Sequence, residues 1–159
     1  MIKPFTYLSI RYDGNTFEFL DQTQLPGKEL WVAVNIPEDM VVAIKELKVR
    51  GAPLIGICAA MTLTLESQKN PNTLALQALT NVLRATRPTA VNLNYCLDFL
   101  THDNNLTFMS LAKNMQKILD FEYVISLAMA EYGAGLIKTN ENILTHCNTG
   151  GLATIGYGT

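Results

Sequence analysis

Three cysteines, two histidines and two arginines set ahead of prolines are the residues of this 159-residue chain whose types and surroundings could do chemistry. Cys147 leads them. It lies in ILTHCNTGGLATIGYGT, residues 143–159, where an apolar run reads as a strand and the small residues after it read as a helix start. At such a junction the unsatisfied N–H groups carry partial positive charge, which lowers a thiol's pKa and offers donors to a phosphate or an oxyanion. Arg50-Gly51-Ala52-Pro53 is a second device: an arginine, a loop whose backbone can approach a ligand, and a proline that fixes the first turn of the next helix. Arg87-Pro88 repeats it. The residue before proline is pushed out of helical geometry, so the arginine lies beside unsatisfied N–H donors rather than along a helix flank. If the three segments converge, two guanidinium forks and a field favouring anions suit a phosphorylated small molecule.

Each residue also has a plainer reading. Either arginine alone reads as a surface residue or the partner of a carboxylate, and a proline at a helix start is routine. Cys58 and Cys96 fall on apolar helix stripes, where a thiol behaves as a small hydrophobe. Cys147 by spacing alone is as much a buried sheet-end cysteine as a reacting thiol. His146 does not make a dyad with it, because adjacent strand residues point to opposite faces. His102, in a polar turn, reads as solvated.

Composition bounds the partners. Apolar residues make up 48% and charged ones 16%, as in an ordinary globular chain. Twelve basic against fourteen acidic residues give a net charge of −2, with no basic run to serve as a nucleic-acid footprint. No nucleic-acid partner and no membrane partner are expected: the longest apolar run, Leu54 to Leu65, is shorter than the ~18 residues of a membrane span, and the N-terminus is not a signal peptide. An odd number of widely spaced cysteines with no C-x-x-C argues against a disulfide framework and against a zinc site, and for a reducing cytoplasm.

The elements that must position these residues follow from periodicity. Phe5 to Arg11, Thr16 to Asp21 and Leu30 to Asn35 read as short strands, the first two joined through the hairpin signal Asp13-Gly14. Helices follow. One starts at Pro37-Glu38-Asp39 and ends at Gly51. A second starts at Pro53 with Leu54, Ile57, Cys58, Met61 and Leu65 on one stripe. A third follows Asn72-Thr73, and a fourth begins at Pro88. A long helical region carrying Leu111, Met115 and Ile118 is expected to break near Asp120 and resume to Lys138. Ile143 to Cys147 then reads as a strand of a parallel sheet whose partners come from elsewhere. The fold class is α+β: a small antiparallel sheet and a helical bundle over residues 1–138, then a linker and the truncated first strand and helix start of a Rossmann-like α/β domain over residues 139–159. Because a strand and part of one helix do not complete such a domain, the chain is expected to be the front portion of something longer, with exposed apolar surface around Ile143 and Leu144.

At VRGAP (Val49 to Pro53), RPTAVNL (Arg87 to Leu93) and ILTHCNTGGLAT (Ile143 to Thr154) the chain resembles the methylthioribose-1-phosphate isomerases, relatives of the regulatory subunits of translation initiation factor 2B. SIRYDG, LDQTQLP and EYGAGLI are similar to the same family, so the resemblance covers nearly all of the chain. It implies an aldose–ketose isomerisation in methionine salvage, without metal or organic cofactor, in a cytoplasmic protein whose full-length form is a homodimer. By motif, Cys147 matches the family's active-site cysteine, and Arg50, Gly51, Ala52 and Arg87 match substrate-contacting positions. A second catalytic residue of the family, an aspartate, belongs to a C-terminal domain without counterpart here, so the chain by itself is expected to be inactive. Two other readings stand beside this one: a ribose 1,5-bisphosphate isomerase, and a non-catalytic regulatory subunit.

Overall fold

In the computed structural model, which describes residues 1–158, the chain opens with four short strands. These are β1 (Phe5–Thr6), β2 (Ile10–Tyr12), β3 (Phe17–Leu20) and β4 (Trp31–Ala33), paired antiparallel in sequence order. The β2–β3 hairpin pairs Ile10 with Phe19 and Tyr12 with Phe17. Its turn is the one expected: the Asp13 carboxylate accepts from the Asn15 and Thr16 amides at 2.8 and 2.7 Å, and Gly14 takes φ +100°. Those two amides hold the Asp13 carboxyl below its ordinary pKa. The expected single strand from Phe5 to Arg11 is instead two, folded back at Tyr7–Ser9, where the Tyr7 amide donates to Ile10 O at 2.9 Å. The reason is burial: Ser9 and Ile10 are consecutive and both 0% exposed, which a straight strand with a two-residue period cannot provide.

Five helices follow: α1 (Pro37–Lys45), α2 (Ala52–Lys69), α3 (Thr73–Thr86), α4 (Val91–Thr101) and α5 (Phe108–Ala134). Pro37 opens α1, and Asp39 reaches back to accept from the Asn35 and Ile36 amides at 2.9 and 3.1 Å. The helix stops at Lys45 rather than running to Gly51. Leu47 takes φ +59°, and the Lys48 amide closes on Ala43 O at 2.9 Å, the six-residue closure that ends many helices with glycine at the left-handed position. Asn72 caps α3 by accepting from the Ala75 amide at 3.0 Å. α4 starts at Val91, because Arg87 to Ala90 first form a separate turn closed by Ala90 N to Arg87 O at 2.9 Å.

α2 is the centre of the molecule. Residues 54–64 are all buried, so the expected stripe is in fact a helix buried all round, enclosed by α1, α3, α4 and α5. Gly56 permits a close approach to α4: a Cβ there would lie 2.5 Å from Asn92 O and 2.7 Å from Cys96 Sγ. α5 runs unbroken for 27 residues. It contains no proline, its first glycine is Gly133, and Asp120 accepts from Gln116 Nε2 at 2.8 Å along the helix instead of interrupting it.

The stretch from Ile143 to Cys147 forms no strand. A parallel strand needs a neighbour, and among the described residues the sheet is wholly antiparallel, with Ile143 and Leu144 62% and 98% exposed. Nor does a helix follow. Residues 150–158 form a strap of turns laid back over the body, with Ala153, Thr154 and Ile155 buried.

Candidate functional site

At the level of the backbone, the first turn of α2 touches the strap at Ala153, and Asn92, in the motif that begins at Arg87, meets α2 about one turn further on, at Gly56. Gly51, the residue before α2, takes φ +96° and ψ 132°, a region essentially reserved for glycine. It is buried against the strap: a Cβ on it would lie 2.6 Å from the Ala153 Cβ and closer still to the Ala153 Cα and carbonyl oxygen. The Ala153 carbonyl accepts from the Leu54 amide at 3.1 Å. On the other side, Asn92 in the first turn of α4 meets Gly56, and Gly56 lies about 6 Å along the helix from Ala52 at the usual rise per residue. The Arg87 turn and the Arg50 loop therefore share one end of the α2–α4 pair.

The side chains are placed as follows. Arg50, half-buried, donates from Nε to Leu47 O at 3.0 Å, which ties it to the left-handed end of α1. Arg87, also half-buried, takes φ −145° and ψ 82° after α3, outside the helical region that the following proline disfavours. The ion pairs among the described residues, Arg11–Glu18, Lys48–Glu46 and Arg84–Asp98, leave Arg50 and Arg87 without a carboxylate. Ala52 is exposed. Since Pro53 has no N–H and the Leu54 amide is taken by the strap, the Gly51 and Ala52 amides are the donors left at this helix start.

Cys147 is exposed and sits in irregular chain at φ +66°, not at a strand–helix junction. The positive field of a helix start is therefore not available to it from its own segment. Cys58 and Cys96 are buried, and desolvation pushes both thiols up, Cys96 to about 12. His146 is exposed, and His102 places Nδ1 2.8 Å from Phe99 O. Among the described residues no group of three or more His, Cys, Asp or Glu gathers, and no helix is long and apolar enough to cross a membrane.

Sequence reasoning missed the residues that hold the strap. Leu152 O accepts from Gln22 Nε2 at 2.8 Å, and Thr154 O from Ser9 Oγ at 3.1 Å. On α5, the Thr154 hydroxyl donates to Glu122 Oε2 at 3.4 Å, and Ser126 Oγ accepts from the Gly158 amide at 2.8 Å. Burial raises the Glu122 pKa, and the Thr154 hydroxyl partly opposes the shift. The only signal in the sequence was polar residues at positions otherwise apolar, since strap carbonyls carry no side-chain signature.

An α+β chain in which a helix start is closed by a glycine-rich strap defines the structural class. Residues 48–155 match the family model for the initiation factor 2 subunit family, and the chain belongs to that family. A methylthioribose-1-phosphate isomerase of Klebsiella pneumoniae is 40% identical over 153 residues, covering 95% of this chain and 45% of that protein. The 5-methylthioribose 1-phosphate isomerase structure from Pyrococcus horikoshii superposes with a TM-score of 0.84 at 29% identity, over 98% of this chain and 48% of that one. The delta subunit of translation initiation factor eIF-2B from A. fulgidus superposes with a TM-score of 0.78 at 30% identity, over 96% and 48%. The chain thus spans about half the length of the relatives it matches.

Proposed function

We propose that this chain supplies one wall of the site of an aldose–ketose isomerase that converts 5-methylthioribose 1-phosphate to 5-methylthioribulose 1-phosphate in methionine salvage, in the cytoplasm. The observation that supports the reading is the strap, whose Ala153, six residues past Cys147, packs on Gly51 and accepts from the Leu54 amide at the start of α2. Arg50 and Arg87, which form no ion pair among the described residues, hold the substrate's phosphate and hydroxyl oxygens together with the Gly51 and Ala52 amides.

The anomeric carbon of this substrate carries the phosphate, so the ring cannot open to a free aldehyde. In the overall reaction the hydrogen on C2 ends on C1, the 2-hydroxyl loses its proton, and the ring oxygen gains one. That demands a poised acid/base pair or a site that stabilises the charged ring-opened species. Cys147 shuttles a proton or stabilises that charge. The partner aspartate is expected from the half of the family's length that this chain does not span, which is also where a homodimer would be built. The chain alone therefore binds the sugar phosphate without turning it over.

The test sets this chain beside a full-length relative, with calorimetric titration of 5-methylthioribose 1-phosphate and conversion followed by proton NMR. Binding lost in Arg50→Met, with no turnover by the chain, is the expected result. Turnover comparable to the relative would refute the division of labour, and absence of binding would refute the site. The likeness to the A. fulgidus subunit favours a second reading, a regulatory scaffold. Such a scaffold has no need of Arg50, Arg87 and Cys147 together, and it would leave the titration flat.

A further inference from the structure

Gln22 lies just past β3, in the segment Leu20-Asp21-Gln22-Thr23-Gln24-Leu25-Pro26, which the chemistry above does not use. It is 8% exposed, although glutamine is ordinarily a surface residue. Its two ends reach two different motifs. The backbone amide donates to Lys48 O at 2.9 Å, two residues ahead of Arg50. The side-chain Nε2 donates to Leu152 O at 2.8 Å, on the strap five residues past Cys147. Gln22 is itself held in place: the Asp21 amide donates to Leu30 O at 2.8 Å, and the Asp21 carboxylate accepts from Thr23 N at 3.0 Å and Thr23 Oγ1 at 2.6 Å.

The strap has only turns of its own, so outside donors set its register. Three consecutive carbonyls, of Leu152, Ala153 and Thr154, take donors from Gln22, the Leu54 amide and Ser9. A slip by one residue would mismatch all three, each a buried or half-buried polar group that costs free energy when left unpaired. Of these donors, Gln22 is the one that also grips the segment leading into Arg50.

We propose that Gln22 is a positioning residue that couples the arginine loop to the cysteine strap, setting the separation between Arg50 and Cys147 that a sugar phosphate must span. The inference rests on the reading of Arg50 and Cys147 as groups that face substrate, while Gln22 itself touches none. Its amide nitrogen acts through Leu152 O and its backbone through Lys48 O.

Two variants test it by readouts that need no turnover. Gln22→Met keeps the volume and removes the donor. Gln22→Glu can donate to Leu152 O only while protonated. Exchange of the Leu54 amide, whose acceptor is the strap, is measured by NMR beside the pH profile of Cys147 alkylation by iodoacetamide. In Gln22→Met the Leu54 amide should exchange roughly tenfold faster, as befits one lost hydrogen bond, and the alkylation profile should move while β2–β3 amides keep their rates. Gln22→Glu should follow the parent below the pKa of its new carboxyl and Gln22→Met above it. Should Gln22→Met fail to fold, the pH series on Gln22→Glu carries the test alone. Parent-like Leu54 exchange and alkylation in both variants at every pH would overturn the coupling and leave the isomerase reading intact. Altered readouts in a protein that binds no sugar phosphate would keep the coupling and remove the isomerase reading.

Discussion

Substituting Gly51 by alanine should damage this protein well beyond the usual effect of one added methyl group. Two costs combine. At φ +96° and ψ 132° the backbone lies where a side chain is strained by about 1–3 kcal/mol. The new Cβ would also stand inside Ala153, 2.6 Å from its Cβ, and all three nearest atoms are main chain or its first carbon, with no flexible end to swing away. The strap must therefore lift, breaking the Leu54–Ala153 bond and straining those from Gln22 and Ser9, at about 0.5–1.5 kcal/mol for each bond lost. With the Leu54 bond lost, the sum is about 1.5–4.5 kcal/mol before the strain on the other two. Gly150→Ala is the control: φ is +77° but nothing lies within 4 Å of its Cβ, so only the left-handed cost of about 1–2 kcal/mol applies. Urea unfolding followed by circular dichroism reads both, and in a thermal melt the Tm of Gly51→Ala should fall by at least about 3 °C. If Gly51→Ala proves no worse than Gly150→Ala, the strap does not lie on the α2 start as described.

Gly56→Ala should lose about 1–3 kcal/mol by overpacking against Asn92 O and Cys96 Sγ, although alanine favours a helix, and urea unfolding checks this. Glu122→Gln should gain stability relative to the parent as pH rises: a carboxyl whose folded pKa is raised gives stability present below its unfolded pKa and lost above the folded one. Denaturation at pH 4 and pH 8 should show the two proteins alike in acid and the variant ahead in base. Native protein should titrate one fast thiol with Ellman's reagent and all three after unfolding, because Cys58 and Cys96 are buried with raised pKa values and Cys147 is exposed. Cys147→Ser should abolish the fast phase.

Much of the frame was legible because it rests on local chemistry. Asp13-Gly14 turns the hairpin, Asn72 caps α3, Pro37 opens α1, and each acts through its own side chain or ring within a few residues. The misreadings come from tertiary demands. Leu47 ends α1 in a conformation usually given to glycine, and the paired burial of Ser9 and Ile10 splits the first strand. α2 is enclosed by four helices, so its stripe became a full circumference. The motif segments around Arg50, Arg87 and Cys147 were readable as motifs. What docks the strap on the start of α2 was not, because the strap is gripped through the carbonyls of residues 152–154, which are chemically the same in any sequence.

The central claim, that Arg50, Arg87 and Cys147 attend one bound sugar phosphate, is tested most directly by substrate protection of the thiol. Cys147 alkylation is timed with and without saturating 5-methylthioribose 1-phosphate, in the parent chain and in the Arg50→Met and Arg87→Met variants. The account predicts slowing by roughly tenfold or more in the parent, with protection lost in both variants when one charge-assisted contact of about 1.5–3 kcal/mol is removed. Equal alkylation rates with and without the sugar phosphate in the parent would contradict it.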